Sequence, residues 1–302
     1  PDSFLFDFDF NKMGAGGGKG GNLLAIHGDY VVKEMNTTDH NTLLNCAKLY
    51  ADHVLMEDRN GNQYGTMLCK VLCHFYDPST GKNFMAMDNV TPNPVPPGLG
   101  DKGRRPSANR STYDLKGCAD DKTLTWNNEK VNEVHKRVWN AGMWCGQCLW
   151  SKERKNYYAG KLNAANTDFH VTETQKEKIE MWIKRDCTFL SDLGLMDYSL
   201  MVSCLTLERG DPDAEAWLNA AAGNEDSVPF VSMYDGKVQV LHVGIIDFLQ
   251  DWTFTKNIAM CIKFLECNKA TIPPGWYAAR FIETFCWKFN ADAQEVAASA
   301  GV

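Results

Sequence analysis

The chain has 302 residues, 44% hydrophobic and 23% charged, which suits one large domain or two modest ones burying roughly three quarters of the unfolded surface and excludes disorder over most of its length. A net charge of −7 excludes coating nucleic acid or anionic lipid by bulk electrostatics, so an anionic ligand must be met by local positive charge. No apolar run approaches the roughly 18 to 20 residues of a spanning helix, the start PDSFLFDFDF lacks a basic export region, and eleven scattered cysteines predict a reducing, intracellular and cytoplasmic setting.

Phe4, Phe6, Phe8 and Phe10 recur at strand spacing ahead of the glycine-rich run GAGGGKGG at residues 14–21. That run is either a flexible tether or a phosphate loop, with Gly16, Gly18 and Gly21 in a Gly-x-Gly-x-x-Gly pattern. A Rossmann loop must open a helix and a Walker loop needs Gly-Lys-Ser/Thr. Here Lys19 precedes Gly20 and the following segment reads as a strand. Residues 23–26 and 30–33 are β-rich runs around a tight turn. A glycine loop between antiparallel strands, with lysine on the next strand, lets backbone approach phosphate and an ammonium neutralise it. Lys33 is therefore the candidate phosphate lysine; without the loop it would read as a solvated charge.

Thr37, Thr38 and Asp39 are candidate caps for a helix carrying Leu43, Leu44, Ala47, Tyr50, Val54 and Leu55 at helical spacing. It offers Asp52 and Glu57 near its end but no mid-helix glutamate for Lys33. Strands are expected over 67–75 and 83–87 around the turn Asp77-Pro78-Ser79-Thr80-Gly81, then a Pro- and Gly-rich hinge with an insertion from residue 91. Residues 129–150 read as a helix, and Cys145 with Cys148 is a C-x-x-C lacking the second pair a zinc site needs. Thr172 and Gln175 form a capping box for a helix whose apolar face runs through Ile179, Trp182, Ile183, Leu190 and Leu193 to Gly194.

Asp197 stands at the bend where that helix hands over to the apolar strand SLMVSCL. Asp235-Gly236 signals a hairpin between residues 230–234 and 237–246, and Asp247 closes its second strand. Alone, either Asp197 or Asp247 reads as a turn or cap residue. Beside a glycine loop and a strand lysine they acquire a joint reading. Phosphoryl transfer needs one carboxylate to orient the attacking hydroxyl, another to hold Mg²⁺, and a cation over the nucleotide.

Four ordered motifs resemble the phosphatidylinositol phosphate kinase family: YDLKGC at 113–118, RDCTFLSDLGLMDYSLMV at 185–202, VGIIDFLQ from Val243, and GWYAARFIETF from Gly275. The resemblance implies a two-lobed, protein-kinase-like α+β fold with an antiparallel sheet in each lobe and packed helices, residues 1–90 forming the N-lobe and 91–302 the C-lobe. It implies ATP and Mg²⁺, with Lys33 on the nucleotide, Lys116 reaching the transferred phosphate or substrate, Asp197 catalytic and Asp247 on the metal. Asn89 and Val90 fall where the lobes join. The family's substrate-selecting activation loop corresponds to 256–274, including Lys256, Ala259 and Lys263. Ala259 stands where the 4-phosphate class carries Glu and the 5-phosphate class Ala.

The loop also departs from the family: its basic doublet is Lys256-Asn257 and its exit is Ile-Pro-Pro-Gly-Trp-Tyr. Each basic residue near an anionic leaflet contributes about 1 kcal/mol, so weak peripheral membrane contact is expected. The implied function is ATP-dependent phosphorylation of an inositol-ring hydroxyl of a phosphatidylinositol monophosphate, without nucleic acid. Two alternatives stand beside it: a PIPK-like scaffold held by a protein assembly partner, and a kinase for soluble inositol phosphates.

Overall fold

The computed structural model describes residues 14–15, 23–27, 30–57, 61, 63–92, 109–134, 150–221, 228–253 and 271–294. They form a mixed α+β structure with antiparallel five- and six-stranded sheets, one short parallel pair and five helices.

The first sheet contains β1 (Gly14–Ala15), β2 (Leu23–His27), β3 (Tyr30–Met35), β4 (Val71–Asp77) and β5 (Lys82–Asp88), in the order β1-β2-β3-β5-β4. The predicted hairpin forms, with His27 opposite Tyr30. Alternation along β5 buries both faces: Phe84 and Ala86 pack with Val32, while Met85 and Met87 join the main core. Helix α1 (Thr37–Val54) covers the Met face, its buried stripe including Leu43, Cys46, Tyr50 and Val54. Its N-cap is Asn36 rather than Thr37, Thr38 or Asp39. The Asn36 side-chain oxygen accepts from Asp39 N–H at 2.8 Å and satisfies one of the helix's orphan donors.

The second sheet contains β6 (Asn109–Leu115), β7 (Lys122–Trp126), β8 (Glu129–Lys130), β10 (Ser199–Glu208), β11 (Phe230–Tyr234) and β12 (Lys237–Ile246). Its order is β11-β12-β10-β6-β7-β8. β9 (Phe169–His170) pairs in parallel with β13 (Phe289–Asn290). Around these lie α2 (Lys152–Asn166), α3 (Glu173–Asp192), α4 (Pro212–Ala221) and α5 (Pro274–Lys288). The capping box at α3 is reciprocal: Gln175 N–H donates to Thr172 Oγ1, and Thr172 N–H to Gln175 Oε1, both at 3.2 Å.

The helix expected over 129–150 is corrected at its start. Asn127 and Asn128 adopt φ of 48° and 69°, folding the chain back so that Glu129 and Lys130 pair with Trp126 and Thr125. Residues 135–149, including Cys145 and Cys148, lie outside the described residues, as do Phe4, Phe6, Phe8 and Phe10.

A second correction concerns the strand expected over 67–75, which begins only at Val71. Residues 67–69 run beside β12 of the other sheet instead: Ile245 N–H donates to the Met67 carbonyl at 2.6 Å, and Cys69 N–H to the Ile245 carbonyl at 2.9 Å. The same junction is held by the fully buried carboxylate of Asp186 on α3. It accepts from Met67 N–H at 2.6 Å and Thr66 Oγ1 at 2.9 Å, and contacts His53 Nε2 at 2.7 Å. Both sheets therefore abut along one continuous core.

Candidate active site

The site follows from strand register. In the six-stranded sheet Leu200 of β10 lies between Leu115 of β6 and Ile245 of β12, and Ser199 pairs with Ile246. Lys116, which follows β6, Asp197, which precedes β10, and Asp247, which follows β12, consequently emerge at one end of three adjacent strands. β3 of the other sheet supplies Lys33, whose Nζ reaches Asp247 Oδ1 at 2.7 Å. Lys116 Nζ donates to Asp197 Oδ1 at 2.5 Å and to the Asp197 carbonyl at 2.8 Å. The four groups singled out in the sequence stand together as two ion pairs.

Their electrostatics join the pairs. Burial opposes the Lys116 charge, but Asp197, Asp114 and Asp247 outweigh it and hold its ammonium above the ordinary lysine value. The carboxylates remain open to a ligand, with Asp247 half exposed and Asp197 about a quarter exposed at the side chain. Both adopt left-handed backbone, φ 65° at Asp197 and 57° at Asp247. Asp235 does the same at 49° in an ordinary hairpin turn, so the conformation alone does not mark function. What distinguishes Asp197 and Asp247 is that this turn aims each carboxylate at a lysine from another element.

Supporting groups were less legible. Asp121 Oδ1 accepts from Lys116 N–H at 2.6 Å and Cys118 N–H at 3.2 Å, fixing the loop that carries Lys116. Gly117 in that loop has φ 66°, and a Cβ there would lie 3.0 Å from Thr284 Oγ1, so glycine suits both backbone and space. The Tyr277 hydroxyl of α5 donates to the Tyr198 carbonyl, beside Asp197. Asp114 lies in β6 within the YDLKGC motif, two residues before Lys116. No local pattern marks Asp121, and Tyr277 lies in the GWYAARFIETF motif without any sign there of its contact with Tyr198.

Asn89 and Val90 follow β5, with Val90 packed against Gly244 of β12. Gly16, Gly18, Gly21, Lys256, Ala259 and Lys263 lie outside the described residues. Among the described residues no group of three or more His, Cys, Asp or Glu side chains could by itself hold a metal. Mg²⁺ in phosphotransfer sites uses one or two carboxylates and keeps the remaining positions for phosphates and water, a donor set that an open Asp247 fits.

The two sheets thus bring two lysines and two carboxylates together, and comparison with known proteins gives the chain a family. The phosphatidylinositol-4-phosphate 5-kinase family model matches residues 13–228 and 218–287. The chain belongs to this family of phosphoinositide kinases. It is also similar to the phosphatidylinositol 5-phosphate 4-kinase type-2 gamma of Danio rerio, 28% identical over 161 residues that cover 38% of this chain and 39% of that protein. The matched stretch thus spans about two fifths of the relative. The two descriptions name different ring positions. Among the described residues no helix is long and apolar enough to cross a membrane.

Proposed function

We propose that the protein transfers the γ-phosphoryl group of ATP to an inositol-ring hydroxyl of a phosphatidylinositol monophosphate. The observation that carries this reading is the convergence of Lys33, Lys116, Asp197 and Asp247 from two sheets into one charged cluster. Under this reading residues 1–90 act as an N-lobe and 91–302 as a C-lobe joined at Asn89 and Val90, which flank the nucleotide.

The glycines Gly16, Gly18 and Gly21 let backbone amides approach the phosphates, and Lys33 neutralises them. Mg²⁺ held by Asp247 would neutralise charge on the nucleotide phosphates. Asp197 orients the ring hydroxyl for in-line attack and takes its proton as the oxygen–phosphorus bond forms. Lys116, held charged by its acidic neighbours, stabilises the equatorial oxygens of the transferred group. With substrates bound, each lysine exchanges its carboxylate partner, Asp247 for Lys33 and Asp197 for Lys116, for phosphate. Lys256, Ala259 and Lys263 form the segment that selects the lipid, and Ala259 favours a 5-phosphate headgroup.

Purified protein with Mg-ATP and vesicles containing either monophosphate should yield a bisphosphate, and Asp197→Asn should lower turnover at least about 100-fold, the scale of general-base catalysis. Equal turnover by parent and variant removes Asp197 from the mechanism. Short-chain headgroup substrates distinguish a soluble inositol phosphate kinase.

Trp276 and Trp287, 69% and 78% exposed and eleven residues apart on one side of α5, favour a second reading in which the domain serves as a scaffold. Thermal stabilisation by Mg-ATP supports the enzyme. Its absence, with a protein that co-purifies through these tryptophans, supports the scaffold.

A further inference from the structure

In kinases that use a strand lysine, a glutamate on the neighbouring helix ordinarily makes the positioning ion pair. Helix α1 occupies that place in sequence, after β3, yet its carboxylates are elsewhere: Asp39 lies in the first turn, and Asp52 pairs with Lys48 at 2.7 Å on the outer side. Lys33 goes directly to Asp247. Whatever α1 contributes to the site must therefore pass through other contacts.

Three residues on successive turns of its buried face, Thr42, Cys46 and Tyr50, lie over the segment that follows Asp247. Thr42 Oγ1 donates to Asp251 Oδ2 at 2.7 Å. Two turns on, the Tyr50 ring stacks on Phe248 with centroids 5.6 Å apart and planes inclined by 19°. Cys46, between them, has its thiol pushed up by burial and by the Asp251 charge. Asp251 is also fixed through its backbone neighbourhood. It bridges to Leu195, Met196 N–H donates to the Gln250 carbonyl at 3.0 Å, and Trp252 N–H to the Gly194 carbonyl at 3.1 Å. Residues 194–196 lead straight into Asp197.

Asp251 is thus a crossing point. Its backbone belongs to the strap that supports Asp197, its chain runs back four residues to Asp247, and its side chain is the contact with α1. We propose that Thr42 and Asp251 are positioning residues, the hydrogen bond between them replacing a helix glutamate as the link that sets Asp197 and Asp247 relative to Lys33. The inference rests on the phosphotransfer reading above.

The test compares Thr42→Val, which keeps shape and removes the hydroxyl, Thr42→Ser, which keeps the hydroxyl, and Asp251→Asn. Turnover is measured with Mg-ATP and phosphatidylinositol monophosphate vesicles, alongside amide hydrogen exchange at Met196 and Trp252 in the full chain. Thr42→Val and Asp251→Asn should each lower kcat about tenfold with KM for ATP within about twofold of the parent, since misplacement of reacting groups costs rate rather than ground-state binding. Thr42→Ser should recover kcat to within about twofold, and exchange at both amides should rise in Thr42→Val.

Unchanged kcat in Thr42→Val, or a Ser variant as slow as the Val variant, overturns the proposal, the latter because packing rather than the hydroxyl would then be responsible. A parent protein without turnover refutes the phosphotransfer reading by itself. In that event the hydrogen-exchange comparison still decides the contact: unchanged protection at Met196 and Trp252 in Thr42→Val overturns it.

Discussion

His242 on β12 shows how a single partly buried group makes stability depend on pH. Burial, with the nearby Arg110 charge, lowers its pKa from the ordinary 6.5 to about 4. The folded-state value lies below the unfolded one, so this contribution is fully present above about pH 6.5 and drains as pH falls toward 4, where unfolded chains bind the proton first. Urea unfolding at pH 7 and 4.5 should show the parent losing about 2 kcal/mol more than His242→Gln over that interval. Equal losses would mean the imidazole is solvated. Lys116 behaves oppositely, because its raised value keeps the ammonium charged until strongly alkaline pH, so its pairing with Asp197 is lost only as pH rises through that value.

Element packing turns on close approach at Gly244 of β12. A Cβ there would stand 2.8 Å from Val90 Cγ2 and 3.5 Å from the Met67 carbonyl oxygen, where the chain after β5 crosses the six-stranded sheet. Gly244→Ala should cost about 1 to 3 kcal/mol by overpacking. Combining it with Val90→Ala should cost less than the sum of the single changes, because the offending atoms are Val90 methyls. Strict additivity in denaturant unfolding would rule out that contact. Elements bounded by local chemistry were readable beforehand: Thr172 and Gln175 start α3, Gly194 with φ 74° follows its end, and Asp235-Gly236 turns β11 into β12. The Asn127–Asn128 turn was missed because residues 129–150 carry enough helix formers to mask it.

Across the whole molecule, Asp186 ties α3 to the end of α1 and to the chain entering β4. Arg185 reinforces the junction by donating to the Gly65 and His53 carbonyls. Asp186→Ala removes the acceptor for a buried backbone N–H, a hydroxyl and an imidazole at once, and should destabilise by about 3 kcal/mol or more in equilibrium unfolding. A cost below about 1 kcal/mol would show that the two sheets are held by the apolar core alone. The sequence marks Arg185 and Asp186 only as the start of the 185–202 motif and says nothing of their partners, which lie more than a hundred residues away.

Local order was written into the chain itself. The apolar runs along β5 and β10, the capping box at residue 172, the Asp235-Gly236 hairpin and the acidic strand borders at Asp197 and Asp247 depend on contacts within a few residues, so apolar patterning, capping and turn chemistry suffice to specify them. Which charge meets which depended on the assembled sheets. Lys33 finds Asp247 across 214 positions and Lys116 finds Asp197 across 81, while Thr42 reaches Asp251 across 209. Those partners are set by strand register and by the angle at which one sheet abuts the other, quantities that belong to the packed core and to no short stretch of sequence.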